Sequence, residues 1–379
     1  MKQKFPKMRV SLLISFVVLP LLLLGQAKKT VSKKILMVVS SYGKMEGKLR
    51  PGFEFDEFAQ AWLIFKSNGL EIEVASPKGG YAEPDEFNKS KPYNKQVLAD
   101  AKAMQLLRQT KPTAQVKPEQ FAAVYIVGGK GAMFDLPFDP SLQDIILNIY
   151  EKQKGVVAAV CHGPAALVNI KLSEGKYLVA GKRITGFCND EEEKFGKKWK
   201  SEFPFLLEDK LKQREGLYER SEAMLPQVSI DGRLITGQNP YSTASLAEEI
   251  VKALGATPVK REQYQDERSM QLVKRALKGE MRWAQQELAA NHKLYDLQLI
   301  AVYGYYKLIN AKENTEDIGM ALQTIELVTT WVFNENLQYE MAKGYLQLKN
   351  KEKAKKLLEE ILVKQPSFED AKKLLAEIK

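Results

Sequence analysis

Cysteine and histidine are the scarcest residues of this chain, with two of each among its 379 residues. Two cysteines cannot build the disulfide framework that stabilises small secreted proteins, and they leave at most one bridge, Cys161–Cys188. The two histidines lie far apart, and the cysteines do not have the spacing of zinc ligands. We therefore expect no metal site.

The chain also lacks the basic regions that bind nucleic acid. Its formal charge is +10, but Lys2, Lys4, Lys7 and Arg9 supply four of these charges and leave +6 for the rest. Toward the C-terminus lysines alternate with acids, and no basic stretch is interleaved with aromatic residues. We therefore expect no nucleic-acid partner.

Only the first 27 residues contain a long apolar run. Basic residues come first, an apolar run follows from Val10 to Leu24, and the small residues Gly25 and Ala27 end the segment. This order is typical of a secretory signal peptide. We predict a signal peptide over residues 1–27 and export to the periplasm or the medium, with no stable membrane span after cleavage. An uncleaved N-terminal anchor is the alternative, although the run is short for a span.

From residue 33 to residue 256 apolar strands alternate with helical stretches. This alternation predicts an α/β fold with a doubly wound, mostly parallel sheet. The predicted strands are Ile35–Ser41, Glu71–Ser76, Ala123–Val127, Val156–Val160, Ile184–Phe187, Val228–Ile230 and Leu234–Thr236. The predicted helices are Gly52–Asn68, Pro140–Lys154, Pro164–Ile170, Asp190–Trp199 and Ser242–Leu254. In such sheets ligands bind at the carboxyl ends of the strands.

One of the two cysteines stands beside one of the two histidines at such a strand end. Cys161 and His162 follow an apolar β-branched run, and Gly163 and Pro164 lead into a helical stretch. The free N–H groups and the dipole of a helix start favour a thiolate, which is the reactive form, and Gly163 would allow a sharp turn. We interpret Cys161 as a nucleophile. The alternative is a buried cysteine that serves only as a small apolar residue.

Three further motifs fall at the same edge of the predicted sheet. The glycines of Gly128-Gly129-Lys130-Gly131 let the backbone approach a ligand, and an N–H there could join the one after Cys161 in holding an oxyanion. Glu57 is surrounded by aromatic residues, and burial would raise its pKa toward values useful for proton transfer. One acid of Asp190–Glu193 could orient His162, but spacing alone does not choose which.

Together these residues resemble the PfpI-type superfamily, which is related to class I glutamine amidotransferases, and in particular its glyoxalase III and heat-shock protein 31-like branch. The resemblance covers residues 33–256 and implies a flavodoxin-like fold. It also implies that Cys161 is the nucleophile, His162 its partner, Glu192 the acid that orients His162, and Glu57 the carboxyl beside the thiol. The matching segments are 51–57, 75–80, 128–135, 158–164, 185–187 with Glu192, and 235–240.

The resemblance implies a cofactor-independent enzyme that converts methylglyoxal or a related 2-oxoaldehyde to the 2-hydroxy acid without glutathione. The pathway would run through a hemithioacetal on Cys161, with Gly128, Gly129 and Lys130 at the oxyanion and substrate site. Three positions depart from the branch: Lys130 replaces a frequent histidine, Tyr241 a small residue, and Cys188 a frequent threonine. The first two departures could reshape the pocket, and they bear on the substrate more than on the chemistry.

Two other functions remain open for the same residues. One is a holding chaperone or redox-stress protein in which the cysteine senses oxidation. The other is a cysteine amidase, peptidase or deglycase that uses the same thiol.

Residues 262–379 have no strand pattern and keep a helical period to the end. Within 337–365, Ala342, Tyr345, Ala354 and Leu358 match the pattern of a tetratricopeptide repeat. Ala284, Ala321 and Ala354 follow one another at spacings of 37 and 33 residues, near the repeat length of about 34. We predict two to three such repeats, with an insertion near 310–316 and a final helix at 368–378. These helices could form a groove that binds a protein or peptide partner. Alternatively, they could mediate homodimer formation or only stabilise the protein.

Overall fold

The structure, a computed structural model, describes residues 1–3, 34–43 and 49–378. The predicted signal peptide therefore lies almost wholly outside the described residues and stays a prediction. Within the described ranges, none of the helices combines the length and the apolar character that crossing a bilayer requires.

A seven-stranded sheet forms the centre of the N-terminal region. In chain order the strands are β1 (Lys34–Val38), β2 (Glu71–Ser76), β3 (Lys111–Pro112), β4 (Ala123–Ile126), β5 (Val156–Val160), β6 (Arg183–Ile184), β7 (Leu217–Tyr218), β8 (Val228–Asp231) and β9 (Leu234–Gly237). The order in the sheet is β3-β2-β1-β4-β5-β9-β8, and only β8 and β9 pair antiparallel. Strands β6 and β7 form a separate parallel pair. The predicted doubly wound, mostly parallel sheet is thereby confirmed.

The register of the central strands brings their carboxyl ends together. Val38 of β1 pairs with Ile126 of β4, and Ile126 pairs with Ala159 of β5. Every residue of β4 and β5 is buried, as expected for parallel strands with both faces covered. The segments that follow these strands, which contain Gly128 and Cys161, therefore meet at one edge of the sheet.

Helices and turns of the N-terminal region cover this sheet. The α-helices are α1 (Phe55–Ser67), α2 (Pro92–Leu98), α3 (Ala101–Arg108), α4 (Ala132–Asp135), α5 (Pro140–Leu147), α6 (Asn189–Phe195), α7 (Leu207–Gln213) and α8 (Thr243–Ala253). A π-helical turn at Asn148–Lys152 extends α5. The 3₁₀ turns are Thr113–Gln115, Pro118–Gln120, Leu136–Phe138, Gly163–Leu167, Lys197–Ser201 and Pro240–Ser242.

Several predicted elements differ from the structure. The strand predicted at 184–187 is wrong as a member of the main sheet, because only Ile184 is in a strand and that strand pairs with β7. The helix predicted at 164–170 is a 3₁₀ turn over Gly163–Leu167. The helix predicted at 190–199 ends at Phe195, and a 3₁₀ turn follows Gly196. Helices α2 and α3 were not predicted, although Pro92 at a first helical position and the Asp100 N-cap are the usual signals.

The C-terminal region is entirely helical. Its helices are α9 (Gln265–Arg275), α10 (Met281–Asn291), α11 (Leu297–Asn310), α12 (Thr315–Glu326), α13 (Glu335–Gln347), α14 (Lys351–Lys364) and α15 (Glu369–Glu377). Between α9 and α10 the backbone turns at Gly279, whose φ is 102°, and a 3₁₀ turn at His292–Leu294 precedes α11. Asparagine or aspartate caps α11, α12, α13 and α14 by accepting backbone N–H groups, which explains where these helices begin.

The helices form three successive pairs and a final single helix. Ala284, Ala321 and Ala354, the small residues of the predicted repeats, are all fully buried. The insertion predicted near 310–316 is the short connection between α11 and α12. The helical region is thus confirmed, whereas its assignment to tetratricopeptide repeats and the boundaries 33–256 and 262–379 stay predictions.

The two regions have separate hydrophobic cores that share residues at their border. Met224 and Leu225 precede β8 in sequence but pack in the core of the C-terminal helices. Tyr264, just before α9, packs against the core of the sheet. The segment before β8 is therefore part of the interface between the two regions.

Candidate active site

Cys161 lies on a strained turn between β5 and the 3₁₀ turn that follows. Its φ is 58°, in the left-handed region that residues other than glycine adopt at a cost of about 1–2 kcal/mol. The Cys161 N–H donates to the carbonyl of Gly237 at 2.8 Å, and its carbonyl accepts from Phe187 N–H at 2.8 Å. These bonds hold the turn and direct the thiol out of the sheet edge.

Gly163 contributes to this turn in a different way from the one predicted. The left-handed residue is Cys161 itself. A Cβ on Gly163 would lie 2.6 Å from the carbonyl oxygen of Ile126 in the neighbouring strand. Glycine is required here because the chain passes so close to β4, and not because of its backbone angles.

His162 connects the thiol to a buried carboxylate. Its Nδ1 lies 3.3 Å from Cys161 Sγ, and its Nε2 lies 2.8 Å from Glu192 Oε1. Glu192 lies in the first turn of α6 and, like His162, is almost fully buried. Because the carboxylate accepts the Nε2 proton, Nδ1 is left free to accept the thiol proton. The ring of His162 also packs on Phe187, with centroids 4.4 Å apart.

Glu57 reaches the same site from α1. Its side chain is completely buried, and its Oε2 accepts the N–H of Gly128 at 2.7 Å. Burial, and next the neighbouring charge of Glu54, raise the pKa of Glu57 well above its usual range. This shift favours the protonated form of Glu57, which can act as an acid beside the thiol.

The expectation that a helix start lowers the pKa of the Cys161 thiol is not met. Burial raises the pKa of Cys161, and the nearby charges of Glu57 and Glu54 raise it further. The element after Cys161 is a 3₁₀ turn of five residues, Gly163–Leu167, and not the predicted α-helix. The resting thiol is consequently protonated, and its activation depends on transfer of that proton to His162.

The glycine-rich loop packs tightly against the site. A Cβ on Gly128 would lie 2.8 Å from Cys161 Cβ, and one on Gly129, whose φ is 95°, would lie 2.4 Å from the backbone nitrogen of Glu54. The Gly128 N–H is engaged by Glu57. Within the described residues, the N–H groups of Gly129 and His162 make no hydrogen bond, and they remain the predicted donors to an oxyanion.

A cavity of about 350 Å³ opens above Cys161 and His162. Lys130 lines it and lies 3.6 Å from Asp85 in an ion pair, and Tyr241 lines it from the start of the turn before α8. Both residues are departures from the branch that the sequence resembles. The structure thus brings Cys161, His162 and Lys130 to one cavity, with Glu57 and Glu192 buried behind it.

Sequence reasoning missed several residues of this cavity. Glu54 caps α1 and lines the cavity, and burial followed by the charge of Asp56 raises its pKa to about 7. Glu191 accepts hydrogen bonds from the side chains of Asn239 and Gln238. Neither Glu54 nor Glu191 could be identified from the sequence as a residue of the site, because acids are common at the start of a helix. The cavity is completed by Phe195, Met224 and three residues of α11.

The model of the DJ-1/PfpI family matches residues 49–253. This chain belongs to the DJ-1/PfpI family. The match contains all four residues of the predicted catalytic group. It ends at α8, before the C-terminal helices begin.

Named relatives agree with this assignment. The chain is 31% identical over 241 residues to "Glutathione-independent glyoxalase hsp3101" of Schizosaccharomyces pombe, with 58% of this chain and 95% of the relative covered. It is 32% identical over 243 residues to "Glutathione-independent glyoxalase HSP31" of Saccharomyces cerevisiae, with coverage of 59% and 98%. The solved structure of glyoxalase III from Candida albicans is similar with a TM-score of 0.53 and 27% identity, and covers 58% of this chain and 96% of its own. This chain therefore spans nearly all of each relative and extends well beyond it.

Proposed function

We propose that this protein is a glutathione-independent glyoxalase that converts a 2-oxoaldehyde to the corresponding 2-hydroxy acid. The observation that carries the proposal is the meeting of Cys161, His162, Glu192 and Glu57 in one buried site. The family domain that holds them spans nearly the whole length of relatives that bear this name.

The first step is attack of the Cys161 sulfur on the aldehyde carbon. The thiol proton passes to His162 Nδ1, since Glu192 holds the opposite ring nitrogen and stabilises the imidazolium. A carbon–sulfur bond forms, and the N–H groups of Gly129 and His162 hold the developing oxyanion. Glu57 then gives its proton to this oxygen, and the product is a neutral hemithioacetal.

The second step moves a proton from C1 to C2. The Glu57 carboxylate takes the C1 proton, and the imidazolium protonates the C2 oxygen to give an enediol. Glu57 returns its proton to C2, His162 takes the proton of the C1 hydroxyl, and a thioester results. Water then cleaves the thioester, the thiol is regenerated, and the net reaction is addition of one water to the 2-oxoaldehyde.

The test is turnover of methylglyoxal without glutathione, followed as lactate. We expect turnover by the wild type, loss to background in Cys161→Ser, and a loss on the order of 10²–10⁴-fold in Glu57→Gln. Cys188→Ser is the matched control, because Cys188 is also buried and free but does not line the cavity. If the wild type turned over none of the 2-oxoaldehydes tested, the proposal would be refuted. Turnover retained in Cys161→Ser would refute the mechanism.

A second proposal concerns the C-terminal helices. A groove of about 360 Å³ lies between α12, α13 and α14, and its lining includes two aromatic residues, three lysines and two glutamates: Phe333, Tyr345, Lys353, Lys356, Lys364, Glu326 and Glu360. Lys353 pairs with Glu326, whereas Lys356 and Lys364 leave the lining with an excess of positive charge. This excess and the aromatic rings support binding of an acidic peptide segment, as stacked helix pairs do in repeat proteins. Binding of a fluorescent acidic peptide, lost in a Lys353→Glu, Lys364→Glu double variant, tests this proposal.

A third proposal is that the protein is exported. It rests on residues 1–27, in which basic residues, an apolar run and small residues follow one another as in a signal peptide. N-terminal sequencing of protein recovered from the periplasm or the medium tests it. The expected first residue is near Lys28, and an intact Met1 would contradict cleavage.

A further inference from the structure

One wall of the Cys161 cavity comes from the C-terminal helical region. Leu299, Val302 and Tyr306 of α11 line the same cavity as Cys161 and His162. These residues lie some 140 positions after the nucleophile and outside the segment that matches the family. The cavity is therefore not the product of the family domain alone.

Contacts with the N-terminal region hold α11 in place. Tyr303 Oη donates to Glu222 Oε2 at 2.9 Å, and Lys307 Nζ lies 3.0 Å from the same oxygen. The ring of Tyr306 packs edge-on against Phe195 of α6, with centroids 5.3 Å apart. These contacts anchor the wall over residues 303–307, beside Tyr306.

The two sides of the cavity differ in chemistry. Cys161, His162, Glu54 and Lys130 present polar groups on the side of the sheet edge. The α11 side is formed by Leu299, Val302 and Tyr306, and Val302 keeps 41% of its surface exposed. An exposed apolar side chain beside a reactive centre is available to contact a ligand.

The cavity is larger than a substrate as small as methylglyoxal requires. Its volume of about 350 Å³ lies within the range of roughly 300–1,000 Å³ that encloses drug-sized ligands. Methylglyoxal carries only a methyl group beyond its reacting carbonyls. When its aldehyde carbon is at Cys161, it leaves the α11 side of the cavity unfilled.

We propose that the preferred substrates are 2-oxoaldehydes with an aryl or branched alkyl group, which Leu299, Val302 and Tyr306 contact while the dicarbonyl reacts at Cys161. This inference rests on the proposed glyoxalase function. The reaction is the same addition of one water, so phenylglyoxal would yield mandelate. The selectivity comes from burial of the apolar substituent against α11, which is worth a factor of about 10–200 for a hydrophobic pocket.

The test compares kcat/KM for phenylglyoxal and methylglyoxal in the full chain. We expect the wild type to prefer phenylglyoxal at least tenfold. Val302→Trp fills the cavity and should lower the ratio of the two kcat/KM values at least tenfold, and Leu299→Ala should lower it several-fold. Ile309→Trp is the matched control, because Ile309 is an equally exposed apolar residue of α11 outside the cavity, and it should leave the ratio unchanged.

A wild-type preference for methylglyoxal would overturn the inference, and so would an unchanged ratio in both cavity variants. A binding experiment separates this failure from failure of the proposed function. Mandelate should protect Cys161 from iodoacetamide at concentrations at least tenfold below those of lactate, as measured by peptide mass, and Val302→Trp should remove the difference. Selective protection without turnover would refute the glyoxalase function alone, whereas turnover with equal protection by both acids would refute the aryl preference.

Discussion

Three consecutive glutamates at the start of α6 have different partners. Glu191 is buried and accepts the Met224 N–H and the side chain of Asn239. Glu192 accepts from His162, and Glu193 points outward and pairs with Lys200. Their chemistry is identical, so the difference in role comes only from the direction in which each side chain leaves the helix.

This difference gives a prediction with a built-in control. Glu192→Gln should lower kcat/KM on the order of 10²-fold or more, because the amide no longer stabilises the imidazolium and admits the wrong ring tautomer. Glu193→Gln changes the same residue type one position away and should leave kcat/KM unchanged. Steady-state kinetics with a 2-oxoaldehyde measure both, and equal effects of the two substitutions would contradict the assigned role of Glu192.

Two half-buried carboxyls make stability depend on pH. Burial raises the pKa of Glu54 to about 7, and burial likewise raises the pKa of Asp135 to about 7. Each pKa is higher in the folded than in the unfolded chain, so the folded state binds more protons between about pH 4.5 and pH 7. The free energy of unfolding should therefore fall as the pH rises through this window, by about 3 kcal/mol for each group.

Glu54→Gln should make this fall smaller, since glutamine does not titrate. Urea unfolding at pH 5 and pH 8 is the measurement, with Glu71→Gln as a control at an exposed carboxyl. A wild type whose stability rises over this range, or a variant with the same pH dependence as the wild type, would show that Glu54 and its burial are not responsible.

At the scale of the element, the turn after β5 depends on its packing against β4. The turn is formed by a left-handed Cys161 and a glycine pressed against a backbone carbonyl. No feature of the local sequence alone specifies this geometry, since a cysteine rarely adopts such angles without surrounding support.

Gly163→Ala should destabilise the protein by about 1–3 kcal/mol, because the added Cβ would lie 2.6 Å from the Ile126 carbonyl oxygen. It should also reduce activity by displacing Cys161. Gly319→Ala is the matched control, since Gly319 lies within α12 with open space around it. That substitution should raise stability by about 0.5–1 kcal/mol in thermal or urea unfolding. Destabilisation of similar size at both positions would argue against the steric explanation.

At the scale of the whole molecule, a buried polar network joins the sheet region to the helices. Asp266, in the first turn of α9, accepts from Tyr93 Oη at 2.6 Å and lies 3.2 Å from Lys91 Nζ. Lys91 and Tyr93 also contact Asp56 of α1. This network and the burial of Met224 among the C-terminal helices fix the position of α11 beside the cavity.

Asp266→Ala should lower the free energy of unfolding by about 3 kcal/mol, because it removes a partner from a mostly buried network. It should also lower the preference for aryl substrates, because the helical region is then held less firmly against the sheet region. Glu369→Ala is the control, because Glu369 is also an acid in the first turn of its helix, α15, but pairs with Lys372 at the surface. Thermal unfolding and the ratio of the kcat/KM values for phenylglyoxal and methylglyoxal measure the effects. An unchanged ratio in Asp266→Ala would show that the network does not influence the cavity.

The sequence alone determined the fold class, the main strands and the nucleophile with its neighbouring histidine. Continuous apolar runs predict buried parallel strands, and a cysteine directly after such a run must lie at the ligand-binding edge. These are local signals, carried by a few neighbouring residues. The short helices α2 and α3 were not predicted, because their composition is mixed and their caps are weak evidence by themselves.

Residue spacing left open which acid reaches His162, and the resemblance implied Glu192, which the tertiary structure brings to the ring. Only the tertiary structure decided how burial shifts the pKa of Cys161 and what closes the cavity. Glu57, Cys161, Glu192 and Val302 belong to segments widely separated in the chain, and their contacts depend on how two hydrophobic cores pack. Burial also reversed a local inference, because desolvation of the thiol outweighs the pull of a short 3₁₀ turn. The nucleophile can thus be found from a pattern of adjacent residues, whereas its acidity and the shape of its cavity are properties of packing.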